Sequence, residues 1–217
     1  MTVIYDQIEL AIIERLKIGL GKMVRDVVSY GGEMDEDIGR IVSAFPAAWV
    51  TFGGITNSKS FERSDRKWIN TGVFVVMVGQ QNVRKERAGR ITGRVEEIGT
   101  NTLIYAVRRL LMGQDFGLKI NPIRPGRVRT LFNTSLRNDA FSVFACEFEC
   151  DWIETVLPNM EWPRPEEHDG DELFELYQGR IDGKYPLLKE VATHLITDPP
   201  ISTPVVNDII KTNEDDL

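Results

Sequence analysis

Residues 61–80, FERSDRKWINTGVFVVMVGQ, decide how the chain is read. The segment opens with alternating charged and polar residues and becomes a continuous apolar run from Val73 to Val78. A strand with one exposed end, and with its other end covered on both faces, has this composition. The run then stops at Gln80-Gln81-Asn82 and a strongly basic segment follows.

Upstream, AAWVTFGG (47–54) predicts a strand closed by Gly53-Gly54, and MVRDVVSY (23–30) predicts another that stops at Gly31-Gly32. Both glycine pairs read as turn residues requiring positive φ. Between them, DEDIGRIVSAF (35–45) reads as a short helix with acids in its first turn, where the helix dipole favours them, halted by Pro46. At the start of the chain, Ile4, Ile8, Ile12, Leu16 and Leu20 recur every four residues with Ile13 beside them. That spacing predicts a helix with one broad apolar face, ended by Gly19 or Gly21.

Downstream, TNTLIYAVRRLLMGQ predicts a second long helix capped by Thr100. Leu103, Val107, Leu110 and Leu111 share its inner face, and Arg108 and Arg109 lie on the other. RVRTLFNTSLRNDAFSVFACEFECDWIETV (127–156) reads as two strands joined by a polar turn from Leu136 to Asp139. In the second of these, Phe144, Cys146, Phe148, Cys150 and Trp152 alternate with Glu147, Glu149 and Asp151, so one face is buried and the other wet. The order of elements predicts an α+β fold: a mostly antiparallel sheet with two long helices packed on one face. No second core is required, and Trp49, Trp68 and Trp152 read as core residues of strands.

The character of the chain changes at Leu157. The formal charge of −7 is unevenly spread, because 14 Asp/Glu face only 5 Lys/Arg from Leu157 onward, whereas the first 156 residues hold 19 acids and 21 bases. We therefore read 1–156 as the α+β domain and 157–217 as an acidic, proline-containing C-terminal extension, with a short helix at ELFELYQ and extended chain elsewhere. No stretch approaches the roughly 20 apolar residues that span a bilayer, and the acid-bearing amphipathic N-terminus is unlike a signal peptide. A cytosolic protein is expected.

Catalytic chemistry has little to stand on. No GxxxxGK[ST], GxGxxG, HExxH or GxSxG string occurs, and both histidines, His168 and His194, lie in the extension. Glu96-Glu97 reads as a solvated pair. His168-Asp169-Gly170-Asp171 lacks the alternating acids and terminal Glu of a calcium loop. On one strand face, Cys146 and Cys150 stand about 13 Å apart at roughly 3.3 Å per residue, beyond the ~7 Å limit for a disulfide and wrongly spaced for zinc. They read as two buried thiols. No catalytic, cofactor-binding or metal-binding residue is assigned, and the protein is expected not to be an enzyme.

The basic segment is the distinctive feature. Arg84, Lys85, Arg87, Arg90 and Arg94, opposed only by Glu86, give +4 across eleven residues. Arg108, Arg109, Arg124, Arg127 and Arg129 could add phosphate contacts, so a nucleic-acid-binding accessory protein is one alternative. No aromatic residue is interleaved with the cluster for base stacking, and the chain as a whole is acidic. A solvated loop, or docking onto an acidic protein surface, accounts for the cluster better than direct contact with DNA. Trp162, in a proline-rich acidic segment without a local core, reads as an anchor on a partner.

IELAIIERLK, VVSYGGE, FPAAWVTFGG, the strand from Trp68 to Gly79 running into NVRKERAGR, and VRRLLMGQDFGL together resemble the tail terminator (tail completion) family of Mu-like bacteriophages and prophages. The resemblance spans Ile4 to Trp152. It implies a structural protein that assembles as a ring, typically a hexamer, on the last ring of the tail tube, stops polymerisation and presents a surface to the head-tail connector. In contractile tails it also implies anchoring of the last sheath ring, and genomic DNA would pass through the lumen. The expected location is the head-proximal end of the virion tail, reached from the host cytoplasm during assembly, with no membrane partner. Another head-tail connector or baseplate component is the remaining alternative. Under this reading the assembly interface comprises Arg84, Lys85, Arg87, Arg90, Arg94 and Trp162.

Overall fold

A computed structural model describes residues 3–32, 45–61, 66–82, 98–136, 139–168, 170–183, 190–195 and 206–211. Contacts divide the chain into two compact units, 1–161 and 162–217. The first contains helix α1 (Ile4–Leu20), strand β1 (Asp26–Ser29), strands β2 (Ala47–Ser60) and β3 (Lys67–Asn82), helix α2 (Thr100–Leu111), and strands β4 (Arg124–Leu136) and β5 (Asp139–Thr155). The second contains the short helix α3 (Glu172–Leu176) and a hairpin of β6 (Glu190–Leu195) and β7 (Val206–Lys211). No helix among the described residues is long and apolar enough to cross a membrane.

The first unit is the expected α+β arrangement. Its sheet runs β1-β2-β3-β5-β4, antiparallel throughout except for the parallel β1/β2 pair. The quoted stretch supplies the middle strand: β3 pairs with β2 along one side and with β5 along the other, from Lys67↔Thr155 to Asn82↔Ala140. Its closing stretch, Val76 to Gln80, is covered on both faces, as the unbroken apolar run requires. The turn between β4 and β5 falls where expected, with Leu136 opposite Asp139.

Both long helices pack on one face of this sheet. Ile8, Ile12, Leu16 and Leu20 of α1 and Leu103, Val107 and Leu111 of α2 form one core with Phe74, Val76, Val78, Cys146, Phe148, Cys150 and Trp152. Helix α1 ends at Gly21, whose φ of +49° breaks the helical path. Gly19 stays inside the helix and matters for packing instead. A Cβ there would stand 2.5 Å from Leu110 Cδ2, so its bareness lets the helices meet. The N-terminus of α1 is latched to the sheet by Glu154, whose Oε1 accepts hydrogen bonds from the Tyr5 hydroxyl and the Trp152 indole, each 2.8 Å.

Several expectations need correction. The second strand does not close at Gly53-Gly54 but continues to Ser60 through register shifts between Phe52 and Asn57. Only Gly54 takes positive φ, +98°, and it serves a bulge rather than a turn. Likewise Gly32 has φ +100°, and its neighbour Gly31 does not share the left-handed conformation. Thr100 is not a cap: Gly99 precedes the helix without a side-chain cap, and the Thr100 hydroxyl is buried against Ser142 Oγ (2.7 Å).

A second apolar cluster also exists, on the sheet face opposite the helices, built from Phe45, Ala47, Trp49, Met77, Phe141, Val143 and Ala145. The wet face of β5 is accordingly confined to its later half, where Glu147, Glu149 and Asp151 are only partly buried. Trp49 and Trp152 are buried, whereas Trp68 is half-buried. The short helix expected at 35–45 lies outside the described residues apart from Phe45.

In the second unit, α3 forms within the expected ELFELYQ stretch. The β6/β7 hairpin, with Glu190 opposite Lys211 and Leu195 opposite Val206, replaces part of the extended chain expected there. Alternation in six-residue strands is too short a signal to separate from irregular chain.

Candidate functional site

The predicted interface residues Arg84, Lys85, Arg87, Arg90 and Arg94 lie outside the described residues. What is described is the frame on which their segment is mounted. It leaves from the end of β3 at Asn82 and returns at the start of α2. Gln80 and Thr100, near the two ends, are both buried, and the Thr100 hydroxyl reaches Gln80 Oε1 at 3.4 Å as well as Ser142. Three buried polar side chains satisfying one another hold the ends of a basic segment together, since an unpaired buried hydroxyl or amide costs about 1–3 kcal/mol. Sequence reasoning assigned Thr100 to a cap and passed over this trio, because Gln80 and Ser142 are 20 and 42 residues away from it.

Helix α2 and strand β4 carry further arginines, and the structure separates them. Arg124 binds the Asp151 carboxylate, Nη2 to Oδ1 at 2.9 Å, and approaches Glu149 Oε2 at 3.5 Å. Arg129 Nε donates to Glu147 Oε1 at 3.2 Å. The hydrogen bond from Arg124, reinforced by one from Thr71, holds the Asp151 carboxyl down at about 2 despite the opposing cost of burial. These two arginines are thus matched to carboxylates of the neighbouring strand. Arg108 instead turns toward the edge strand, its Nη1 3.4 Å from the Gly126 carbonyl oxygen, and Arg109 and Arg127 are exposed.

Trp162 is placed in the second unit. Its backbone N–H donates to Asp182 Oδ2 at 2.9 Å, and the Arg180 guanidinium lies 4.5 Å above the ring. The side chain remains 40% exposed, with a cation on one face. Asp182 also lies near Arg164, which pairs with Glu167, so residues 162–183 close into a small charge-linked loop.

The two thiols are buried on the helix side of β5, and burial pushes Cys146 up to about 11 and Cys150 up to about 12. Neither has the lowered pKa of a reactive cysteine. Among the described residues no group of three or more His, Cys, Asp or Glu side chains could hold a metal ion.

Comparison with curated proteins gives no match. A family model does match: residues 4–153, from the first turn of α1 almost to the end of β5, fit the model described as Bacteriophage Mu, Gp37. That span is well over half of the 217 residues and includes both long helices and all but the last two residues of the sheet, so the chain belongs to the bacteriophage Mu Gp37 family.

Proposed function

We propose that the protein is a tail terminator, a non-catalytic virion component. In this role it forms a ring, hexameric on the resemblance described above, at the end of the tail tube, stops tube and sheath polymerisation and provides the head-tail joining surface. The observation that carries the reading is the family match over residues 4–153, the span on which the resemblance also rests. Its partners would be further copies of itself, the tube protein, the head-tail connector and, in a contractile tail, the sheath, with DNA passing through the lumen.

Two features of the fold support it. A closed ring is built from heterologous contacts, so each subunit needs two different complementary surfaces. The sheet offers two different edges: among the described residues no strand pairs with the outer side of β2 beyond Val50, nor with the outer side of β4. Charge supplies a second asymmetry, between a nearly neutral body and a C-terminal extension of −9. Nucleic-acid binding has less support, since Arg124 and Arg129 direct their charge at Asp151, Glu149 and Glu147 rather than offering it to phosphates.

Within this reading the basic segment seats on an acidic surface of a neighbouring subunit, the tube or the sheath. Replacing Arg87→Glu together with Arg90→Glu should leave the circular dichroism and melting curve unchanged while abolishing ring formation or tube attachment. Assembly at wild-type levels in the double variant would refute the assignment.

A further inference from the structure

We infer that the face shared by helix α2 and strand β4 receives the short acidic helix α3 of a second copy of this chain. The inference rests on the ring reading for its partner and on the following chemistry for its location.

The outermost side of α2 carries Tyr105 and Arg109, one turn apart, and Tyr105 is 69% exposed. Arg108, pointing to the Gly126 carbonyl oxygen, places the start of β4 alongside, so the 37%-exposed Val128, opposite Cys146 on the helix side of the sheet, borders the same surface. The nearby carboxylates of β5 do not neutralise it. Glu147, Glu149 and Asp151 belong to the opposite face of the sheet and are held by Arg129 and Arg124. The result is a surface of two arginines, an aromatic ring and an aliphatic side chain, a composition enriched at protein interfaces.

Helix α3 has the complementary composition. Glu172 and Glu175 are exposed, Leu176 is 72% exposed and Tyr177 80%, and none of the helix's five residues is buried. A helix this short is far below the ~12 residues that are even marginally stable alone, so it gains from a surface on which to lie. Two carboxylates beside two large apolar side chains match Arg108 and Arg109 beside Tyr105 and Val128. Charge fixes register and orientation, and burial of the apolar groups supplies the affinity. Because donor and acceptor surfaces differ, the contact is heterologous and repeats around a ring.

The test uses exposed positions, where charge reversal leaves the fold alone. Arg109→Glu, and separately Glu172→Lys with Glu175→Lys, should each weaken self-association of the full chain at least tenfold by light scattering. Combining all three should restore it to within a few fold. In a mixture of two chains, one carrying Tyr105→Cys and the other Tyr177→Cys, mild oxidation should give a covalent mixed dimer, which no contact inside one chain produces. A ring indifferent to both reversals, or reversals that the combination does not rescue, would overturn this contact and leave the ring standing. A wild-type chain that stays monomeric with and without tube protein would overturn the contact and the ring together.

Discussion

Gly72 sits in the middle strand, where an added Cβ would run into the indole of Trp152 and Phe52 Cε2 would close in at 3.2 Å. Neither ring can give way, because Trp152 is fixed by Glu154 and packs edge-on to Tyr5, which stacks on Phe52. Overpacking of this kind costs about 1–3 kcal/mol, so Gly72→Ala should lower the stability measured by urea denaturation by that amount. An unchanged midpoint would mean that the aromatic cluster is looser than its geometry implies. Nothing in INTGVFVV marks Gly72 as special; the requirement comes from Trp152, on the neighbouring strand β5 and far away in sequence. Asp151 gives a second test at this scale. Its carboxyl titrates at about 2 in the fold against 3.8 ordinarily, so its stabilising contribution is complete above about pH 4 and is lost as pH falls towards 2. Asp151→Asn should therefore lower stability at pH 7 and flatten the acid limb of the pH–stability curve, measured by chemical denaturation from about pH 2 to 7.

At the scale of elements, hydrophobic spacing located both long helices and the middle strand, because burial on one face imposes its period directly on the residues. Ile8, Ile12, Leu16 and Leu20 are all buried, as are Leu103, Val107 and Leu111. Glycine was the less legible residue. The pair Gly53-Gly54 can stop a strand or bulge it, and only the partner strand decides: β3 continues opposite, so β2 absorbs the extra residues and runs on. Gly54 at φ +98° has open space where a Cβ would go, so its constraint is conformational. Gly54→Val should destabilise by roughly 1–3 kcal/mol through backbone strain alone, whereas Gly54→Asn should cost less because Asn tolerates positive φ better. Equal losses from the two variants would point to a cause other than the positive φ. The second apolar cluster was hidden for a related reason. Val143 and Ala145 interrupt the wet face of β5 over too few residues to register against the acids that follow.

For the whole molecule, the two-layer domain and the change of charge after residue 157 were readable without any structure. The candidate surface was readable only in part. The run of arginines after Gln81 stands out by composition, but the pairing of Arg124 and Arg129 with β5 depends on strand register and could not be seen in advance. Trp162 reads from the sequence as an anchor on a partner, whereas the Arg180 guanidinium over its ring, 18 residues further along, is seen only in the fold. The ring reading brings these surfaces together, since a subunit with a basic face, an acidic extension and two unlike sheet edges is suited to repeat head to tail. Its most direct test is the mass and symmetry of the purified protein by light scattering and negative-stain imaging, alone and mixed with tail-tube protein. The expected result is a ring of about six subunits that caps tubes and limits their length. Tubes that keep growing uncapped, alongside a protein that remains monomeric, would contradict it.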